Sequence, residues 1–146
     1  MENSKPKILF VDDDNFLRKV YQSELTEQGY EVILAQDGQE GLEKAKISDP
    51  DLIILDMIMP QKSGFEVLTE LQNDSVTKNI PVIILSNLGQ TDDIKKGLDL
   101  GAVDYLVKDN ITLATIVEKI SQYLHSKTMS KQARVNGNGD TKQSSK

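Results

Sequence analysis

The chain contains no cysteine, no tryptophan and a single histidine, His125. Without cysteine there is no disulfide framework, no thiolate-bound metal and no thiol nucleophile. One histidine excludes a multi-histidine zinc site and leaves little material for a Ser-His-Asp triad. Aromatic residues make up only 5% of the 146 positions. No apolar run approaches the roughly 20 residues that a membrane span needs. Met1 to Pro6 is polar, so no secretory signal is expected. A chain of this length buries a core without disulfides or structural zinc, and a cytoplasmic protein is the default expectation.

Charge is abundant but unevenly placed. Of 17 basic and 23 acidic residues, Met1 to Ser126 holds 12 and 22, a net of −10. From Lys127 onward stand five basic residues and one acid, Asp140. An acidic body binds nucleic acid poorly, because that affinity rests on neutralising phosphates. It suits a divalent cation instead. The expected division is a folded domain over residues 1–126 and a polar, basic, disordered tail over 127–146, with room for the last helix to fray into it. In the tail Asn136-Gly137-Asn138-Gly139 would break any helix.

Along the body, short apolar runs alternate with helical patterns. Ile8-Leu9-Phe10-Val11, Leu52-Ile53-Ile54-Leu55 and Val82-Ile83-Ile84-Leu85 are continuous and rich in β-branched residues, as parallel strands covered on both faces are. Tyr30 to Ala35 and Tyr105-Leu106-Val107 are weaker strand signals, as expected at sheet edges. Between them, Leu17, Val20, Tyr21 and Leu25 recur at helical spacing. Asp37 with Glu40, and Ser63 with Glu66, form capping patterns ahead of further helices. Leu113, Ile116, Val117, Ile120 and Leu124 share one face of the last helix. The order is strand then helix, five times, which implies a doubly wound α/β sandwich with a parallel sheet. Strand order 2-1-3-4-5 is one of two common solutions, and periodicity alone does not choose between them.

In such folds ligands bind beyond the carboxyl ends of the strands. The first strand ends in Asp12-Asp13-Asp14, the third in Asp56, the fourth in Ser86 and the fifth in Lys108. One sheet edge thus receives carboxylates, a hydroxyl and an ammonium. Two carboxylates 4 Å apart at an effective dielectric near 20 repel by roughly 4 kcal/mol. A hard divalent cation relieves that repulsion, and Mg²⁺ needs only a few protein oxygens because it keeps several waters. In this setting Asp56 has the chemistry to attack phosphorus in line and become an acyl phosphate. Lys108 would pair with one phosphoryl oxygen and Ser86 would hydrogen-bond another.

The same residues resemble the receiver domain of two-component response regulators, of the single-domain chemotaxis-regulator type. The likeness runs from about Lys7 to Leu124. It rests on the apolar strand before Asp12-Asp13, on Asp56-Met57-Ile58-Met59-Pro60 with Gly64 beyond, on Ser86, and on Gly101-Ala102-Val103-Asp104-Tyr105-Leu106-Val107-Lys108. The resemblance implies a flavodoxin-like (βα)5 fold with strand order 2-1-3-4-5. It implies Asp56 as phosphoacceptor, with the phosphoryl group supplied by a histidine kinase or a histidine phosphotransfer protein. It implies Mg²⁺ (or Mn²⁺) on Asp13 and Asp56, with Asp12 acting through water and the Ile58 backbone carbonyl as a further ligand. Ser86 and Tyr105 would be the switch pair, changing the surface of helix four, strand five and helix five. The protein would then control a downstream protein target or pass the phosphoryl group on, as a monomer or a phosphorylation-dependent dimer. No turnover enzyme, no direct nucleic-acid contact and no membrane insertion are expected.

Three positions depart from the family pattern. Asp109 follows the lysine where the family usually has proline, often after a cis bond; a trans, differently shaped loop is expected. Asn87 follows Ser86 where small residues are common, and is expected to restrict access of the donor. Ile58 and Leu88 are apolar at positions flanking the phosphoryl site, and are expected to hinder an attacking water. Two other readings stay open at this stage. One is a receiver-like scaffold that never meets phosphate. The other is a haloacid-dehalogenase-type phosphohydrolase, whose Asp-x-Asp start Asp12 and Asp14 imitate.

Overall fold

A computed structural model of the chain describes residues 5–137, with side chains over residues 5–126. It divides into two units, Met1–Thr112 and Leu113–Lys146. In the first unit the elements are β1 (Lys7–Val11), α1 (Asn15–Glu27), β2 (Glu31–Ala35), α2 (Gly38–Ser48), β3 (Leu52–Leu55), α3 (Gly64–Asn73), β4 (Val82–Ser86), α4 (Thr91–Asp99) and β5 (Asp104–Val107), followed by a 3-10 turn at Lys108–Asn110. The second unit is one helix, α5 (Leu113–Gly137).

All pairings are parallel, and the sheet order is β2-β1-β3-β4-β5, the flavodoxin-like arrangement. Burial follows position. Every residue of β3 and β4 is buried, while β2 at one edge keeps Glu31 exposed and three residues half-covered. The runs of Ile, Leu and Val therefore fall on the strands with neighbours on both sides, where a branched side chain meets apolar contacts above and below the sheet. Leu9, Val11, Ile53, Leu55 and Ile84 join Leu68 of α3 in one core cluster.

The helix starts are fixed by local chemistry. Asp14 caps α1, accepting from the N–H groups of Phe16 and Leu17 at 2.9 and 3.1 Å. Asp37 caps α2 through the Glu40 N–H at 2.8 Å. Ser63 and Glu66 form a reciprocal capping box at α3. Each such cap contributes about 1 kcal/mol.

The helix α5 extends beyond the point at which the sequence pattern stops. It passes Ser126 and ends at Gly137. The stretch from Lys127 to Arg134 is rich in Lys, Gln, Ala, Arg and Met, which lose little rotamer freedom in a helix. Periodicity detects only an apolar stripe and is blind to that propensity. The remainder of the expected tail, residues 138–146, lies outside the described residues. No helix among the described residues is long and apolar enough to cross a membrane.

Candidate functional site

Sheet register assembles the site. Val11 pairs with Leu55 across β1 and β3, so Asp12 and Asp56 leave adjacent parallel strands at the same level. The Asp56 N–H donates to the Val11 carbonyl at 3.0 Å, extending the ladder by one step. Ser86 pairs with Val107 across β4 and β5, which sets Lys108 one residue further along its strand. Oxygens of Asp12, Asp13 and Asp56 come within 4.8 Å of one another. Asp12 and Asp56 are buried and Asp13 is exposed, so the cluster opens to solvent on one side.

Lys108 Nζ lies 2.8 Å from Asp12 Oδ2 and 3.7 Å from Asp56 Oδ2. The other Asp12 oxygen accepts from the Asp14 N–H at 2.9 Å. The Ile58 N–H donates to Asp56 Oδ1 at 3.3 Å, which sets the Ile58 peptide at the edge of the carboxylate. Ser86 is fully buried; its hydroxyl accepts from the Leu88 N–H at 3.2 Å and lies close enough to Asp56 to favour the charged carboxylate. Burial pushes the Asp56 carboxyl above its ordinary value, and the charge of Asp12 pushes it further. Lys108, Ser86 and the Ile58 N–H pull the other way without cancelling the rise.

Two buried acids, one ammonium and an exposed third acid leave an excess of negative charge in a half-open pocket. That donor set is all oxygen and matches what Mg²⁺ prefers. The residues therefore fit the ion on their own chemistry, with Asp12, Asp13 and Asp56 supplying carboxylates.

Gly64 explains how Asp56 is held from below. A Cβ at Gly64 would stand 2.2 Å from the Asp56 carbonyl oxygen and 2.6 Å from Met57 Cα. The Gly64 N–H donates to the Met57 carbonyl at 2.9 Å. The start of α3 thus lies directly against the backbone that carries the acid.

Tyr105 is buried, with its ring against α4 at Gly97. Its hydroxyl donates to the Leu88 carbonyl. It does pack at a sheet edge, yet its polar end reaches the loop after Ser86. Burial raises its hydroxyl to about 12, with the charges of Asp93 and Asp56 adding to the effect. The loop carrying Asp109 is trans, since no peptide bond among the described residues is cis, and it forms the 3-10 turn. Asn87 is exposed.

Sequence reasoning missed Arg18. Its Nη1 donates to the Asp12 backbone carbonyl at 2.7 Å. The available signal was a basic side chain in the first turns of the helix leaving the acidic loop, which becomes informative only when the direction of that helix is known.

A family profile described as the response regulator receiver domain matches residues 8–121. The chain belongs to that family. The receiver is 44% identical over 108 residues to a protein of Cyanophora paradoxa named "Probable transcriptional regulator ycf27", covering 74% of this chain and 44% of that protein. It is 43% identical over 103 residues to the DNA-binding dual master transcriptional regulator RpaA of Synechocystis, covering 70% and 43%. Among solved structures it is similar to the Vibrio cholerae chemotaxis protein CheY4, at 32% identity and a TM-score of 0.76, covering 82% of this chain and 99% of that one. The receiver thus spans less than half the length of these two regulators and nearly all of the chemotaxis protein. Receivers of two-component systems are phosphoacceptors rather than turnover enzymes, and the acidic pocket found here suits that role.

Proposed function

We propose that this receiver accepts a phosphoryl group on Asp56 from a histidine kinase or a histidine phosphotransfer protein in the cytoplasm. The observation that carries the reading is the convergence of Asp12, Asp13, Asp56, Ser86 and Lys108 at one end of the sheet. An Asp56 oxygen attacks phosphorus, and the P–N bond to the donor imidazole breaks with its electron pair going to nitrogen; the imidazole leaves neutral, keeping the proton already on its other ring nitrogen. Asp12, Asp13, Asp56 and the Ile58 backbone carbonyl are the proposed holders of Mg²⁺ (or Mn²⁺). When bound, the ion neutralises charge on the phosphoryl oxygens as they approach the carboxylates. Lys108 shifts from Asp12 toward one phosphoryl oxygen, and Ser86 turns its hydroxyl toward another.

Phosphorylation adds about −1.5 to −2 charges. Ser86 then withdraws from the geometry that holds Leu88, whose carbonyl anchors Tyr105. The α4–β5 face is the proposed output surface, because Tyr105 bridges β5 to the loop that begins α4. Output is control of a partner protein or onward transfer to a histidine. The relatives named as transcriptional regulators favour one further form of output. In it, the receiver governs DNA binding carried by residues outside this chain.

Asp14 weighs against the phosphohydrolase reading. Its carboxylate is engaged as the α1 cap and does not join the cluster.

The test is addition of beryllofluoride with Mg²⁺, a mimic of the aspartyl phosphate, followed by NMR of backbone amides. Shifts around Ser86, Leu88 and Tyr105 are expected in the wild type and absent in Asp56→Asn. A wild-type spectrum that does not change would leave the scaffold reading in place. Return of a radiolabel to a histidine phosphotransfer domain would identify the relay.

A further inference from the structure

Asp12 has a partner for each of its polar groups. Its N–H donates to the Ala35 carbonyl at 3.1 Å. Its carboxylate oxygens take the Asp14 N–H at 2.9 Å and Lys108 at 2.8 Å. Its carbonyl takes the Arg18 guanidinium at 2.7 Å. Three of these contacts hold Asp12 itself. The fourth is different, because the carbonyl belongs to the peptide plane that joins Asp12 to Asp13. Rotation of that plane turns the backbone on both sides and sweeps the Asp13 carboxylate through an arc. Asp13 is exposed, so no surrounding wall fixes its direction. Arg18 is half-buried and also bonds the Asn15 side chain, so its own fork is held in place.

We infer that Arg18 is a positioning residue for the cation site: by pinning the Asp12–Asp13 peptide it keeps the Asp13 carboxylate turned toward Asp12 and Asp56. The inference rests on the reading of that cluster as a Mg²⁺ site. It assigns a basic residue the task of improving affinity for a cation. Charge alone dictates the reverse, since removing a positive group beside an acidic pocket strengthens cation binding. The two effects therefore differ in sign, and a single titration separates them.

The experiment is a Mg²⁺ titration of the full chain, followed by backbone amide shifts, for wild type, Arg18→Met and Arg18→Lys. Groups that orient metal ligands typically matter by 10- to 100-fold in affinity. Arg18→Met is expected to weaken Mg²⁺ binding about tenfold. Arg18→Lys, which keeps the charge and one donor, is expected to recover most of the loss. Thermal unfolding in chelator reports whether each variant retains its fold. A second readout needs no variant: in the wild type the Arg18 guanidinium signals are expected to show restricted rotation with and without Mg²⁺. Unchanged or tighter binding by a folded Arg18→Met chain overturns the inference, as does a freely rotating guanidinium in the wild type. A wild type that binds no Mg²⁺ overturns the cluster reading and this inference together. A wild type that binds while Arg18→Met binds equally well overturns this inference alone.

Discussion

Lys108 pairs with Asp12 at 2.8 Å and stands 0.9 Å farther from Asp56, at 3.7 Å. The ammonium is thus held beside Asp56, the proposed phosphoacceptor, by its neighbour Asp12. In the unmodified protein it partly neutralises two buried acids. Lys108→Met removes that compensation and strands both carboxylates, a costly situation in a poorly solvated pocket. The variant is expected to unfold at a lower temperature than wild type in chelator, by several degrees for a domain of this size. Mg²⁺ at millimolar concentration should close much of the gap, because an ion bound only by the folded state stabilises it. Scanning calorimetry with and without Mg²⁺ reads both effects. An unchanged melting temperature in chelator would mean that the pair contributes nothing.

Asp56 sets the pH dependence. Its folded pKa is raised, by burial first and then by Asp12, above the ordinary 3.8. The folded state therefore holds that proton more tightly than the unfolded chain. Stability from this group is lost as pH rises through the raised value, and at neutral pH the ionised acid is a burden. Asp56→Asn removes the burden. It is expected to stabilise the chain at pH 7.5 by on the order of 1 kcal/mol. The gain should shrink toward zero below the ordinary carboxyl range, where the wild-type acid is protonated in both states. Urea titrations at the two pH values decide; an equal gain at both would place the effect in packing.

Much of this was legible in the residues. Continuous Ile-Leu-Val runs mark β1, β3 and β4 because central parallel strands are covered on both faces. Asp14, Asp37 and the Ser63–Glu66 pair mark helix starts because they satisfy N–H groups within a few residues. The ends of the strands also pointed to Asp12, Asp56, Ser86 and Lys108, since each follows an apolar run by one position. Long-range relations were not legible. Nothing in the sequence says that Lys108 prefers Asp12 to Asp56, or that Arg18 turns back to the Asp12 carbonyl. Those follow from strand register and helix direction, which exist only once the chain has folded. How far α5 runs past Ser126 was not legible for another reason, because helix propensity without an apolar stripe leaves no periodic trace.

Gly64 ties the start of α3 to the acid-bearing loop. A methyl group there meets backbone atoms of Asp56 and Met57, which cannot rotate aside as a side-chain tip can. Gly64→Ala is expected to cost about 2–3 kcal/mol, the upper part of the range for overpacking. It should also displace Asp56 from Lys108. Denaturant unfolding measures the first consequence. Loss of the beryllofluoride response in protein that remains folded measures the second. A folded variant with a normal response would show that the loop yields without moving the acid.

The lifetime of the phosphorylated form follows from what flanks Asp56. Hydrolysis needs a water placed in line with the acyl phosphate. Ile58 is 55% exposed, and its own N–H bonds the Asp56 carboxylate. Leu88 is half-buried and bound through its N–H to Ser86. Neither side chain offers a hydrogen bond to orient a water, and on the proposed reading both hinder its approach. Ile58→Asn and Leu88→Glu each supply a polar group in that position. Both are expected to speed loss of phosphate from Asp56, with the double variant fastest. A misplacement of about 1 Å can cost roughly 100-fold in rate; a partial improvement in placing the water sets the expected change at roughly tenfold. The measurement is decay of ³²P-labelled protein after removal of the donor, in excess Mg²⁺. Equal lifetimes for wild type and both variants would mean that solvent reaches phosphorus by a route these residues do not border.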